Sequence, residues 1–171
     1  VSHLIEKHGR RRIVYMQGPE GHEDSQWRER GYREALEKHN IPFDPSLVVK
    51  GEFDEEQASS TMQQMIADGI EFDAVFAGDD DAAMGVYRAL KLTSRIIPDD
   101  VAVAGFDDIQ FARYISPALT TIRAPIEEVG REAVRQLIHL LNGQQAQSLV
   151  LMRTELVIRE SCGCALSDHH Q

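Results

Sequence analysis

Apolar positions along this chain follow two periods. Short continuous runs at residues 13–16, 47–49, 74–77 and 101–104 have the length and β-branched content of strands covered on both faces. Between them, apolar residues recur at helical spacing. One series is Trp27, Tyr32, Ala35 and Leu36, and a second is Ala58, Met62, Met65 and Ile66. A third is Ala83, Val86, Tyr87 and Leu90, and a fourth is Ile126, Val129, Ala133, Leu137 and Leu141. Residues 1–8 read as a short helix with Leu4 and Ile5 inward and Gly9 as its stop. Asn40-Ile41-Pro42, Asp68-Gly69 and Asn142-Gly143 close the longer helices. Asp24 or Ser25 is the expected cap of the first long helix, and Asp80 or Asp81 that of the helix after residue 78. Residues 119–122 make a plausible fifth strand, and residues 149–158 are long and rich in β-formers.

Strands alternating with helices imply right-handed crossovers and a mostly parallel sheet covered on both faces. The expected fold class is therefore α/β, a three-layer α/β/α sandwich. In such sheets ligands bind just beyond the carboxyl ends of the strands, so the loops there hold the candidate chemistry.

Composition narrows the function. At 171 residues the chain fits one ordinary domain or one lobe of a larger protein, and 42% hydrophobic content supports a real core. A net charge of −10 argues against contact with nucleic acid by this segment, because phosphate binding needs clustered Lys and Arg. Arg10-Arg11-Arg12 reads as a solvated strand entry. No apolar run approaches the roughly 20 residues of a membrane span. Cys162 and Cys164 form no disulfide framework and fit a reducing, cytoplasmic setting. The opening Val1, already in a helical pattern, reads as a piece of a longer protein.

Three strand-end loops are polar in a way a core does not require. His22 and Asp24, with Arg28 one turn into the helix, follow the first strand. Asp79 and Asp80 follow the third, and Asp107 and Asp108 the fourth. Phe53 follows the second strand and can lie flat over the same spot. Carboxylates accept from hydroxyls, a guanidinium donates in a rigid fork, and an aromatic face packs on C–H surface. That set suits a small polyhydroxylated or heterocyclic ligand. The competing reading of each Asp is a plain helix cap, which fits Asp80, Asp81 and Asp108 best.

Catalytic signatures are absent: no G-x-S-x-G, no G-x-x-x-x-G-K-[ST] and no H-E-x-x-H. Asp79-Asp80-Asp81 could hold Mg²⁺ as in an acidic α/β phosphatase, but the last Lys is Lys91, so no later strand end offers one to phosphate. Cys162-Gly163-Cys164 with His169 or His170 is a poor match to a zinc site, so neither metal nor other cofactor is expected.

Several stretches resemble the effector-binding domain of LacI/GalR-type regulators. They are His3-Leu4-Ile5 through Met16, the glycine–proline loop, Arg28 through Leu36, and Asp73-Ala74-Val75-Phe76 through Gly85. Ile97 through Asp108 and Pro117-Ala118-Leu119-Thr120-Thr121-Ile122 complete the set. The likeness runs from Val1 to about Arg159 and implies one lobe of a type I periplasmic-binding-protein-like fold. It implies a C-terminal lobe over 1–159, a crossover helix of the other lobe at about 125–143, and an irregular tail at 160–171. By the same resemblance Arg28 holds ligand polar groups, Phe53 stacks and Asp107 accepts from hydroxyls or ring N–H. Asp79 stands where many members carry Asn, and His22 and Asp24 hold the variable first-loop positions. The implied function is sensing of a small-molecule effector, sugar or nucleoside-like, by a homodimeric regulator. It is not an enzyme in this region, and it touches DNA only through a separate N-terminal headpiece and touches no membrane. The ending at residues 157–164 is also similar to LacI-type sensor modules attached to diguanylate cyclases or histidine kinases, which is the alternative output.

Overall fold

The computed structural model describes residues 1–165. Six strands form one sheet: β1 (Ile13–Gln17), β2 (Val48–Lys50), β3 (Ala74–Ala77), β4 (Ala102–Asp107), β5 (Thr120–Arg123) and β6 (Glu155–Val157). Their order is β2-β1-β3-β4-β5-β6, parallel throughout except for the antiparallel β6. Five helices surround it: α1 (Ser2–His8), α2 (Glu23–Lys38), α3 (Glu55–Ala67), α4 (Asp80–Leu92) and α5 (Ile126–Leu141).

Alternation along the buried strands divides the core in two. Val14, Met16, Val75, Ala77, Val101 and Val103 face α3 and α4, where Met62, Met65, Val86 and Leu90 meet them. Ile13, Tyr15, Ala74, Phe76, Ala102 and Ala104 face the other way, onto Leu4, Ile5, Tyr32, Leu36 and Cys162. Each face needs a helix layer, so the continuous apolar runs in the sequence correspond to strands with no solvent side.

Several local expectations are corrected. The cap of α4 is Asp79, whose carboxylate accepts from the Ala82 N–H at 2.8 Å, and not Asp80 or Asp81. His22 precedes α2 without a side-chain cap; neither Asp24 nor Ser25 fills that place. Trp27 is 53% exposed, because α2 buries its Tyr32–Leu36 side instead. Arg11 and Arg12 are exposed, in keeping with a solvated strand entry, although Arg12 donates to the Glu71 carbonyl and the half-buried Arg10 to that of Pro98. The β-rich stretch at 149–158 yields only the three-residue β6. Beyond Arg159 the chain makes a 3₁₀ turn, Glu160–Cys162, with Ser161 and Cys162 buried. Ser161 ties it down, its hydroxyl donating to the Val103 carbonyl and accepting from the Thr120 N–H. Helix α5 stands apart, since none of its residues is buried.

Candidate functional site

The strand order changes direction between β1 and β3: β2 lies on one side of β1, and β3 with all later strands on the other. Adjacent crossovers therefore leave to opposite faces, and a crevice opens at the carboxyl ends of these two strands. Arg28 reaches it from the second turn of α2. Its guanidinium donates to the Gly78 carbonyl at 2.6 Å, just past β3, and lies 3.7 Å from both the Asp107 and the Asp24 carboxylates. Its side chain is only 11% exposed, so these partners hold it in one place.

Two aromatic rings flank that cation. Phe53 lies 5.1 Å from the guanidinium carbon and Phe106 4.0 Å from it, both within cation–π range. Phe53 is turned inward by left-handed backbone at Glu52 and Phe53 themselves (φ 57 and 55), and its ring rests on the backbone of Gly18 and Gly78. His22 meets it edge-on, with ring centroids 5.4 Å apart. Tyr15 supports the first loop from below: its hydroxyl donates to the Ser25 carbonyl, while the Ser25 hydroxyl accepts from the Gly18 N–H.

Charge is concentrated here. Asp79 is 8% exposed, and burial pushes its pKa up to about 6 against the opposing Ala82 N–H, with Asp81 and Asp107 adding to the rise. Burial also raises Asp107, and Arg28 counters it. A crevice with two hindered carboxylates and one fixed guanidinium favours a neutral partner rich in hydroxyl donors over an anion.

The six expected site residues, Arg28, Phe53, Asp107, Asp79, Asp24 and His22, thus lie around one rim, although they are spread over 86 positions between residues 22 and 107. The neighbouring acids do other work. Asp80 is fully buried, accepting from the Thr121 hydroxyl at 2.6 Å and the Ile109 N–H at 2.9 Å. Asp108, expected as a cap, instead pairs with Arg159, Arg123 and Arg113. Burial alone would raise Asp108; hydrogen bonds from Arg159 and Arg123 outweigh it and hold the carboxyl below its usual range. With Asp79 capping, Asp80 inside and Asp81 exposed on the α4 surface, the three carboxylates do not converge on an ion, and the phosphatase reading loses its metal site. Phe106 and the Gly78 carbonyl were not legible as site groups. The only cue was position, each being adjacent to a residue already placed at a strand end.

From the rim a groove of about 780 Å³ runs between α2 and α5, with Asp24, Arg28, Phe106 and Asp107 at one end. Trp27, Ile126, Val129 and Leu156 line it further along.

A family model for a periplasmic binding protein-like domain matches residues 1–162. The probable transcriptional repressor ExuR of Bacillus subtilis is 35% identical over 162 residues, covering 94% of this chain and 48% of that protein. The regulator CelR of Thermobifida fusca is 35% identical over 92% of this chain and 46% of its own length. The ribose operon repressor of Escherichia coli is 34% identical over 92% of this chain and 47% of its own. The chain thus spans about half the length of these relatives. Among solved structures, a CelR–cellobiose complex superposes with a TM-score of 0.88 at 32% identity, covering 94% of this chain and 49% of that one. A lac repressor dimer bound to operator superposes at 0.86 with 26% identity, covering 94% and 48%. On the match over 1–162, the strand order and these relatives together, the chain belongs to the periplasmic binding protein-like domain family, in the form carried by LacI/GalR-type regulators.

Proposed function

We propose that this chain is the C-terminal lobe of the effector domain of a LacI/GalR-type transcriptional regulator acting in the cytoplasm, and that the crevice beyond β1 and β3 binds a small sugar-like effector. The observation that carries the reading is the convergence of Arg28, Phe53 and Asp107 on one rim at the point where the sheet order reverses. In this reading Asp107 accepts from effector hydroxyls, Arg28 donates to ring or hydroxyl oxygens, and Phe53 packs on the C–H face of the ring. Asp24 and His22 on the first loop tune which effector fits. The cellobiose-bound CelR structure, similar over 94% of this chain, supports a carbohydrate of this class.

Helix α5, with its bare apolar stripe, belongs to the crossover into a second lobe that closes the crevice from above. Effector binding favours the closed arrangement and so shifts a two-state equilibrium. The output is DNA affinity, exercised by a headpiece outside this segment and by a pair of copies, as the operator-bound lac repressor dimer suggests. The test is a calorimetric titration of the full-length protein against monosaccharides, disaccharides, uronates and nucleosides. One class binding at a single site, with affinity lost on Arg28→Ala, is expected. Tight binding that survives Arg28→Ala and Asp107→Asn would place the effector elsewhere.

A further inference from the structure

The fold brings both ends of the described chain to one place. His3 and His8 sit on α1, and Cys162 and Cys164 follow β6. One donor atom from each of the four lies within 4.8 Å of the other three. The Cys164 thiol is 3.5 Å from His3 Nε2 and 3.3 Å from His8 Nε2, and the two imidazoles meet edge-on at 5.2 Å between centroids. Among the described residues this is the one group of His, Cys and acidic side chains so disposed.

We infer that His3, His8, Cys162 and Cys164 form a structural site for a tetrahedral, thiophilic divalent cation, with Zn²⁺ the best match. Zn²⁺ is bound by sulfur at about 2.3 Å and by imidazole nitrogen at about 2.0–2.1 Å, which sets tetrahedral S···N edges of about 3.6 Å. Both S···N distances at Cys164 already have that length to within a few tenths of an ångström. Two thiolates with two imidazoles is a closed structural ligand set with no open position for chemistry. Hard cations such as Mg²⁺ and Ca²⁺ are disfavoured, since no carboxylate takes part.

The surroundings fit a ligand role. Cys162 is fully buried, and its thiol donates to the Arg159 carbonyl at 3.3 Å, a bond weak enough to exchange for a metal bond. Gly163 between the cysteines has φ 104, and a Cβ there would lie 3.1 Å from His8 Nδ1. A side chain at 163 would therefore push His8 away, and the positive φ lets the chain double back so that both sulfurs face α1. Binding converts two thiols to thiolates and releases their protons. His169 and His170, the partners first considered for these cysteines, lie outside the described residues. The sequence alone gave no reason to look 150 residues upstream, whereas the structure supplies both imidazoles from α1. Such an ion would staple α1 to the segment after β6, joining residues 156 and 161 positions apart.

The test uses the full-length protein, reduced with a phosphine and stripped with EDTA. Titration with Co²⁺ should give one equivalent of bound metal with the intense visible bands of a tetrahedral thiolate site, bleached by one equivalent of Zn²⁺. The melting temperature should rise on adding Zn²⁺. Cys164→Ser and His3→Gln should each weaken Co²⁺ binding at least tenfold, while their metal-free melting temperatures match the metal-free wild type. Removing residues 166–171 should change nothing. Absence of a stoichiometric Co²⁺ complex would overturn the site, as would one that survives His3→Gln but is lost with the tail. So would a ready Cys162–Cys164 disulfide with no melting shift from metal.

Discussion

Asp107 and Asp79 are close in space but held by opposite demands. Asp107 is about a third exposed and faces Arg28, so its charge is available to a ligand. It also adopts φ 115, a backbone state that costs of order 1–3 kcal/mol and persists only where its surroundings enforce it. Asp108 beside it (φ 58) is locked by Arg159 and Arg123, and this anchor holds the strand end in shape. Asp107→Asn keeps a short polar side chain and removes the charge. A hydrogen bond to a charged group is worth roughly 1.5–3 kcal/mol, so effector affinity should fall roughly 10- to 150-fold. Calorimetry on the full-length protein measures this, and an unchanged dissociation constant would remove Asp107 from the site. Asp79 is buried, and its folded pKa of about 6 stands above its ordinary 3.8. Between those values the folded state holds a proton that the unfolded chain has released. Rising pH through that window therefore lowers stability, and nothing further is lost above it. Asp79→Asn keeps the cap on α4 without the charge. Relative to the parent, the variant should gain stability from about pH 4 to about pH 6 and hold that gain above. Asp80, also pushed up to about 6 by burial, leaves a residual slope in both proteins. Urea unfolding at several pH values decides it; a pH-independent difference would mean that Asp79 is already charged at little cost.

At the scale of elements, α3 and α4 make the most extensive helix–helix contact among the described residues, and Gly85 is where it closes. A Cβ at Gly85 would overlap the Glu55 carbonyl and press on Ala58 and the Ser59 N–H. Replacing a helical Gly with Ala ordinarily gains up to about 1 kcal/mol. Here the obstacle is backbone, which cannot swing aside, and overpacking of this kind costs about 1–3 kcal/mol. Gly85→Ala should therefore destabilise by about 1–2 kcal/mol net, read as a lower denaturant midpoint at unchanged m-value. Elements of this sort were readable from sequence because a strand with two buried faces and a helix with one have distinct periods. Asp79, Asp80 and Asp81 were harder. All three are chemically fit to cap, and the one that does is Asp79, which stands in extended backbone just before the helix starts. Trp27 shows a similar limit, since period alone does not say where a stripe ends. The rim was legible from polar strand-end loops taken together with the family resemblance, which singled out Arg28, Phe53 and Asp107; an Asp at a strand end reads equally well as a helix cap. Phe106 was not legible, because an aromatic at the end of a buried strand looks like core.

For the whole molecule, α5 is the unbalanced part. Ile126, Val129, Leu137, Ile138, Leu140 and Leu141 are each between 45% and 77% exposed, along a helix that buries no residue against the sheet. An amphipathic helix of this kind is stable because its apolar stripe is covered, and patches of this size seldom remain solvated. In the full-length protein the second lobe is the proposed cover; in residues 1–171 alone, another copy is the most available one. The same substitution should then have a different effect in each setting. Leu137→Glu with Ile138→Lys removes two large side chains from the stripe. In the 171-residue chain it should abolish a concentration-dependent rise in sedimentation coefficient, with little change in stability because neither side chain is buried there. In the full-length protein it should lower the melting temperature, because burying a Leu or Ile side chain is worth about 1.5–3 kcal/mol. Analytical ultracentrifugation of the short chain and calorimetry of the long one read the two arms. If the double variant leaves the full-length protein as stable as the parent, the stripe is not a lobe contact and the crossover assignment of α5 fails. A short chain that sediments as a monomer before any substitution would contradict the exposed-patch argument itself.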